Sequence, residues 1–363
     1  MPRSILKLIQ IAVLLGVALF CAFASYKAVS NQITETTVLT ENRVSLARYL
    51  DGTVVRPFAY RVLTPVLIRA VEAAVNFPAL YRVLPAAVEQ KALTFCARAT
   101  SVPTPSCDSV IAFAAVSCVY FSVFLVLMFF LARAVFPESP GLPVVAVVLA
   151  FFVVNSIVFY RRTHLYDYGT LMFAAALLLC LRNKWDIGFC VVLGFACLNK
   201  ESLILYTVSF FFCSLPRLRL TKILTYVGIQ IASFAVIYGI VRQRFRDNDG
   251  NGIEIWIWQQ ITFFTERMGL LEILILSISL LIVFYKFRYK DPFLQAASLI
   301  MVPFVPLILA GTFPGELRNL FEIIPLLVLL ACDSVERLIA GDHGSVRPIM
   351  LWPRFQQRTL SQR

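Results

Sequence analysis

The stretch Tyr160–Thr170, YRRTHLYDYGT, decides how the fold is interpreted. It places two arginines, a histidine, an aspartate and three tyrosines between two apolar runs, Ala146–Phe159 and Leu171–Leu181. A second polar insertion, Asn199–Glu201, interrupts another apolar region further along the chain. Ionisable side chains are expensive at membrane depth and are therefore functional candidates there. Two such clusters that meet at one membrane face would form a site.

Apolar runs of this kind recur throughout the 363 residues. Hydrophobic residues make up 59% of the chain, whereas soluble domains contain about 45–50% apolar residues. Several runs are about 17–22 residues long, which is the length that a helix needs to cross the hydrocarbon core. No alternating strand pattern indicates a barrel. The composition therefore predicts an all-α polytopic membrane protein with one integral membrane domain over residues 1–363.

The net charge of +12 bears on the partners of the protein. No basic amphipathic domain is large enough to hold a duplex, so nucleic acid is not expected. Cytoplasmic anchoring and anionic lipid headgroups explain the charge instead. Arg3 and Lys7 place the start of the first span, Ile5–Tyr26, in the cytoplasm, and we interpret that span as uncleaved. The basic tail, residues 340–363, is predicted to be cytoplasmic as well.

About ten transmembrane helices, with both termini in the cytoplasm, account for the apolar runs. The predicted spans are Ile5–Tyr26, Val110–Val135, Val144–Phe159, a span that ends at Leu181, Ile187–Leu198, Ser202–Leu215, Ile223–Val241, Leu270–Tyr285, Phe293–Phe313 and Leu320–Ile339. Pro303 and Pro306 are expected to kink the ninth span. The tryptophan-containing segment Ile253–Phe264 predicts an interfacial helix.

A long extracytoplasmic loop, residues 27–109, separates the first two spans. Asn42–Leu50 and Pro65–Val75 have helical apolar spacing, which predicts amphipathic helices along the membrane surface. Cys96 and Cys107 share this loop and would form a disulfide in an oxidising compartment, although their spacing alone leaves the pairing open.

The runs on either side of Asn199–Glu201 are each too short to cross a membrane comfortably, at about 1.5 Å of rise per residue. They form either one long span with a buried polar break or a hairpin with this break at its tip. We favour the hairpin, because it returns the chain to the cytoplasm at Arg217, Arg219 and Lys222, as the positive-inside rule prefers.

This topology places all the dense polar clusters of the apolar region on the outer side of the membrane. These clusters are Asp51–Arg61, Tyr160–Tyr168, Asn199–Glu201 and Glu316–Asn319. The arginines of the outer loop Arg242–Gly252 run against the positive-inside rule.

Arginines in these clusters are candidates for binding a phosphate-bearing ligand, because a guanidinium holds phosphate oxygens bidentately. Arg56 and Arg61 flank a proline-containing loop, and Arg161 and Arg162 could serve the same anion. The alternative is that they anchor the protein to the headgroups of the host bilayer.

Asp167 and His164 form a pair that suits proton transfer. We expect Thr163 to cap the helix that follows and Asp167 to lie in its first turn, where an acidic residue can simply complement the helix dipole. The spacing shows no third ligand, so neither a metal nor a cofactor is predicted.

Lys200 and Glu201 are adjacent, so they would not face each other on a helix, and each is expected to have a different partner. Glu201 could be a base, and Lys200, beside Asn199, could neutralise a phosphate. A buried ion pair with Asp167 or Arg161 is the structural alternative. Glu316 and Arg318 follow a Pro-Gly turn, and Arg318 at a helix start needs a compensating anion, either Glu322 or a ligand.

The long first outer loop, the ten or so spans and the polar clusters resemble the GT-C superfamily of polytopic glycosyltransferases. Asp51-Gly52, followed by Tyr60-Arg61-Val-Leu63-Thr-Pro65, is similar to the Asp-Gly … Pro-Leu-x-Pro region of their first loop. The resemblance implies that Asp51 is the catalytic base. It also implies a polyprenyl-phosphate or polyprenyl-pyrophosphate sugar as the donor.

We therefore expect an enzyme of the bacterial inner (plasma) membrane that transfers a sugar to an acceptor in the outer compartment. The candidate catalytic residues are Asp51, Glu201 and Asp167. The candidate substrate-binding residues are Arg56, Arg61, Tyr60, Arg161, Arg162, His164, Asn199, Lys200, Glu316 and Arg318. A transporter or flippase of lipid-linked glycans would use the same arginines without a base, and a non-catalytic assembly subunit is the third alternative.

Overall fold

The computed structural model of the protein describes residues 45–77, 106–160, 164–250, 255–311 and 317–339, together with Gly16, Phe20, Ala79 and Gln90. All regular elements within these ranges are helices. The α-helices before residue 220 are α1 (Leu46–Asp51), α2 (Leu63–Ala74), α3 (Cys107–Val135), α4 (Leu142–Tyr160), α5 (Asp167–Arg182), α6 (Asp186–Asn199) and α7 (Tyr206–Ser214). The later ones are α8 (Leu220–Arg244), α9 (Ile257–Thr262), α10 (Leu270–Phe284), α11 (Pro292–Ala297), α12 (Met301–Gly311) and α13 (Ile324–Ile339).

Among the described residues, four helical segments are long and apolar enough to cross a membrane: Cys107–Val135, Leu220–Arg244, Leu270–Tyr289 and Pro292–Gly311. Helix α10, at the start of the third segment, buries none of its side chains, so its leucines and isoleucines face outward. An exposed apolar surface of this extent is typical of a lipid or protein contact. These segments indicate a membrane protein. The predicted span Ile5–Tyr26 lies outside the described residues apart from Gly16 and Phe20.

Helices α6 and α7 form the predicted hairpin. The rings of Phe189 and Phe210 lie 5.0 Å apart, whereas one continuous straight helix would separate them by about 30 Å. At the open end, Arg217 donates to the Asp186 carboxylate over 2.9 Å. The chain turns at Lys200, whose backbone is extended, and continues as a 3₁₀ helix over Glu201–Leu205. The hairpin prediction is therefore confirmed, and its tip carries Asn199–Glu201.

The ninth predicted span is irregular just before Pro303, one of the two prolines that were expected to kink it, whereas Pro306 lies inside a continuous helix. A 3₁₀ segment, Ser298–Ile300, separates α11 from α12 one turn before Pro303. Proline has no N–H to donate to the carbonyl four residues earlier, and its ring presses on that carbonyl. For Pro303 this carbonyl belongs to Leu299, so the interruption follows directly from the sequence.

The loop after the first predicted span contains both expected helices, with shifted ends. Helix α1 starts at an N-cap formed by Ser45 and ends at Gly52, which has a φ of 72°. Helix α2 covers Leu63–Ala74 and packs against α3. Asp51 is the last residue of α1, directly before the turn at Gly52.

A second polar cluster lies at the end of the helix bundle away from the hairpin tip, and its side chains bind one another across neighbouring helices. Lys290 is buried and donates to the Leu330 carbonyl, the Asp333 carboxylate and the Ser334 hydroxyl. Arg182 reaches Asp291 over 3.3 Å. Because these groups bind one another, we assign them a structural role.

Candidate functional site

The first outer loop and the hairpin tip meet through an ion pair between Arg61 and Glu201. The Nε and Nη2 atoms of Arg61 donate to the two Glu201 carboxylate oxygens over 3.3 and 3.2 Å. Such two-point pairing is among the stronger polar contacts in proteins. Burial acts to lower the pKa of Arg61, but Glu201, Tyr49 and Asp167 together raise it by more, so the pKa lies above its usual value. The guanidinium therefore stays charged.

Aromatic rings hold the same guanidinium from other directions. Its carbon lies 4.2 Å from the centre of the Tyr166 ring and 5.0 Å from that of Phe58. Its Nη1 atom donates to the Tyr166 hydroxyl. Cation–π contacts of this kind are strongest where water is excluded, and Arg61 is buried. The clusters Asp51–Arg61, Tyr160–Tyr168 and Asn199–Glu201 thus converge, as the sequence predicted.

Lys200 has a different partner from its neighbour Glu201, which confirms that expectation. Its Nζ lies 2.7 Å from Oε1 of Glu322, and both side chains are buried. Ser202 donates to the same carboxylate oxygen over 2.6 Å, and the Tyr206 hydroxyl donates to the Glu322 carbonyl over 2.6 Å. Glu322 was one of the two anions expected to compensate Arg318, and it forms an ion pair with Lys200.

Asn199 ties three helices together. Its side-chain amide donates to the Tyr166 carbonyl and to the Thr170 hydroxyl, each over 3.1 Å. Its Oδ1 accepts from the Thr64 hydroxyl over 3.0 Å. A Cβ atom at Gly169 would lie 2.6 Å from this oxygen, so glycine is required there. We assign Asn199 a positioning role behind the ion pairs.

Asp167 begins helix α5 and binds its own turn. Its Oδ2 accepts from the backbone N–H of His164 over 2.6 Å. The predicted cap at Thr163 is wrong, because the helix begins at Asp167 with Tyr166 as its N-cap residue. His164 lies before the helix rather than on its face, and its ring stacks on Tyr166 with 5.5 Å between ring centres. The turn presents Tyr166 to Arg61.

A cavity of about 310 Å³ opens beside the Arg61–Glu201 pair. Its polar lining includes Asp51, Arg61, Arg69 and Arg244. The remaining wall is largely apolar and consists of Tyr49, Leu50, Gly52, Val54, Ala59, Val62, Pro65, Val66 and Phe245. Two sequence candidates, Asp51 and Arg61, therefore line one cavity, which has a charged part and an apolar part.

The charges of the cavity differ in how they are paired. Asp51 Oδ1 accepts from Arg69 Nη2 over 3.2 Å, and Arg69 also pairs with Glu72 over 3.0 Å. Both Asp51 and Arg69 are more than half exposed, so this pairing is weak. Arg244 forms no ion pair with any carboxylate of the described residues. It is therefore available to an anion.

Sequence reasoning missed Arg69, Arg244 and Tyr49 as cavity residues. For Arg244 a signal existed, since arginines in the outer loop Arg242–Gly252 oppose the positive-inside rule. Arg69 lies in the predicted surface helix Pro65–Val75, and nothing in that pattern indicates that it lines a cavity. Nothing in the local pattern distinguishes Tyr49.

The loop after α8 fastens one wall of the cavity. The Asn248 side chain donates to the carbonyls of Gly52 and Val54, each over 2.8 Å. The Arg56 N–H donates to the Asp249 carbonyl over 2.8 Å. This contact, which we term the wall clamp (Asn248–Gly250 on Gly52–Arg56), joins segments almost two hundred residues apart.

We expect Gly250→Ala to loosen the wall clamp. Gly250 has a φ of 96°, and a Cβ there would lie 2.6 Å from the Arg56 carbonyl oxygen. The variant should be less stable by about 1–3 kcal/mol, the usual cost of a strained backbone position. Thermal unfolding in lipid nanodiscs measures this loss. Gly228→Ala, where a Cβ meets nothing within 4 Å, is the control; equal stability of the two variants would contradict the role of Gly250.

Three further predicted residues, Tyr60, Arg56 and Arg318, do not line the cavity. Tyr60 is buried and packs edge-on against Tyr238 at 5.5 Å. Arg56 is half-buried, and Arg318 is buried in the 3₁₀ helix Leu317–Leu320. Arg161, Arg162 and Glu316 lie outside the described residues.

In the part of the chain that the structure describes, no group of three or more His, Cys, Asp or Glu side chains could hold a metal ion. Comparisons with protein-family models, with curated proteins and with solved structures found no match for this chain.

Proposed function

We propose that the protein is a GT-C-like glycosyltransferase that moves a sugar from a polyprenyl-phosphate donor to an acceptor on the extracytoplasmic side of the bacterial inner membrane. One observation carries the proposal: the cavity combines three arginines and a carboxylate with an apolar wall. A donor of this class has a phosphate and an isoprenoid chain, and each part has a matching surface.

The arginines suit the leaving phosphate. Charge that develops on a departing phosphate is stabilised by preorganised cations. Arg61 is fixed by Glu201 and by two aromatic rings, so it is already oriented. Arg244 is uncommitted, and it offers a bidentate fork to phosphate oxygens. The apolar residues between Leu50 and Val66 would receive the first isoprene units.

Asp51 fits the role of base better than Glu201 or Asp167. It lines the cavity, and 63% of its side chain is exposed, so an acceptor hydroxyl can reach it. Both Glu201 oxygens accept from Arg61, and Asp167 caps its own turn. In the reaction, Asp51 takes the acceptor proton, the acceptor oxygen bonds to the anomeric carbon, and the bond from that carbon to the phosphate oxygen breaks.

The disulfide at Cys107 supports the outward placement of the cavity. Cys107 begins α3 and is disulfide-bonded; Cys96, its suggested partner, lies outside the described residues. Disulfides persist in oxidising compartments such as the bacterial periplasm. Two residues further on, Ser109 donates to Glu72, which pairs with Arg69 of the cavity. This end of α3 and the cavity therefore lie at the same end of the helix bundle, which supports the proposed outward placement of the cavity.

We test the donor with a polyprenyl-phosphate sugar and purified protein in nanodiscs of zwitterionic lipid. The wild type is expected to bind this donor and to transfer its sugar to an acceptor. Arg244→Gln should weaken binding by about tenfold, because a charge-assisted hydrogen bond to the phosphate is lost.

The matched control is Arg246→Gln, whose side chain is 64% exposed and pairs only with the adjacent Asp247 among the described residues. It removes the same charge from the same loop and should leave the dissociation constant unchanged. Equal loss in both variants would mean that general charge attraction, rather than a phosphate contact, drives binding. Binding by the wild type without transfer to any acceptor would favour a transporter, and no binding would exclude this donor class.

A further inference from the structure

Tyr49 is a cavity residue whose hydroxyl group lacks a protein partner. The residue lies in α1, is only 4% exposed, and contributes to the cavity wall. No described residue forms a hydrogen bond with its hydroxyl. A buried hydroxyl without a partner destabilises the folded protein. The position therefore calls for an explanation beyond packing, since phenylalanine would fill the same space.

The hydroxyl keeps its proton and so acts as a donor. Burial raises the pKa of Tyr49 well above its usual value. Arg61 and Arg318 act in the opposite direction but do not cancel this effect, and Asp167 and Glu201 add to it. A phenol that is protonated at physiological pH needs an acceptor oxygen.

The neighbouring carboxylates do not serve as acceptors for this hydroxyl. Glu201 and Asp167 are the carboxylates whose charges act on Tyr49, and neither accepts a hydrogen bond from its hydroxyl. The acceptor for Tyr49 therefore has to come from outside the described protein groups. Because Arg61 lies beside Tyr49, an anionic oxygen is favoured over a neutral one.

We propose that the Tyr49 hydroxyl donates a hydrogen bond to a phosphate oxygen of the molecule that occupies the cavity. This inference rests on the proposed function and adds a specific binding residue to it. The hydroxyl oxygen itself is covered, so the contact requires a change in the χ1 torsion of Tyr49 on binding.

Tyr49→Phe tests the inference, because it removes the oxygen and keeps the ring. Two quantities are measured in zwitterionic nanodiscs: the Tm without ligand and the Kd for a polyprenyl phosphate. The variant should have a Tm equal to or above that of the wild type, because an unpaired buried hydroxyl is removed. Its Kd should rise about tenfold, the effect expected for a hydrogen bond to a charged group.

Two other tyrosines provide matched controls. Tyr168 is buried, its hydroxyl has no hydrogen-bond partner among the described residues, and it does not line the cavity. Tyr168→Phe should therefore keep or raise the Tm and leave the Kd unchanged. Tyr206 is buried and donates to the Glu322 carbonyl over 2.6 Å. Tyr206→Phe should lower the Tm.

Each result supports or overturns the inference. A Tm for Tyr49→Phe that falls as far as that of Tyr206→Phe would show that the hydroxyl has a protein partner, and the inference would be wrong. An unchanged Kd in Tyr49→Phe, beside a wild type that binds, would overturn the inference and leave the proposed function intact. No binding of polyprenyl phosphate by the wild type would overturn both.

Discussion

Asp51→Asn is expected to reduce glycosyl transfer by about 10²–10⁴-fold, which is the usual contribution of a positioned general base. Asparagine has nearly the same shape but does not take a proton at neutral pH. The ion pair with Arg69 is exposed at both side chains, so its loss should change stability by less than about 1 kcal/mol. A decrease in activity would therefore report on chemistry rather than on unfolding.

The measurement is single-turnover transfer from a bound polyprenyl-phosphate sugar, with donor binding followed in parallel. Binding should remain within about threefold of the wild type, because Asp51 is not expected to contact the phosphate. Asp247→Asn is the control, since its carboxylate is 89% exposed on the loop after α8. Full activity in Asp51→Asn, with donor binding unchanged, would remove Asp51 from the role of base.

Lys200→Met is expected to lower the free energy of unfolding by about 3–5 kcal/mol. The substitution leaves the Glu322 carboxylate buried without its cation, and Glu322 is 2% exposed. The Ser202 hydroxyl still donates to it but supplies no charge. A loss of this size is a large part of the stability of an ordinary protein, so a low yield of folded protein is expected as well.

The double variant Lys200→Met/Glu322→Gln should recover more than half of that loss, because a neutral amide replaces the unpaired charge. Thermal unfolding of the wild type, of both single variants and of the double variant gives the coupling energy. Arg246→Gln breaks an exposed pair and should stay within about 1 kcal/mol of the wild type. Additive effects of the two single changes would show that the Lys200–Glu322 pair does not stabilise the fold.

The helices could be predicted from apolar run length and from breaker residues. The hairpin followed from two runs that are too short to span, and the interruption at Ser298–Ile300 from Pro303. The separate partners of Lys200 and Glu201 followed from their adjacency. These predictions depend on local geometry, which a single sequence contains.

Which side chains pair with one another could not be predicted from the sequence, because these pairs join segments that are far apart in the chain. Arg61 was predicted to bind a ligand, but its pairing with Glu201, 140 residues away, could not be predicted from the sequence. Thr163 was expected to cap α5, but the helix begins at Asp167, directly after Tyr166, whose ring packs on Arg61. Arg244 lines the cavity at the end of α8, and the wall clamp that follows this end contacts Gly52, almost two hundred residues earlier in the chain.

The wall clamp also sets an order of events during synthesis. Residues 49–69 emerge from the ribosome well before Arg244 and Gly250, and at the usual rates of translation the delay is roughly ten to forty seconds. Throughout that interval α1 and α2 exist without Phe245 and Asn248 against them. The cavity is therefore a late product of insertion, and a chain that stalls before α8 is complete would contain Asp51 and Arg69 without Arg244.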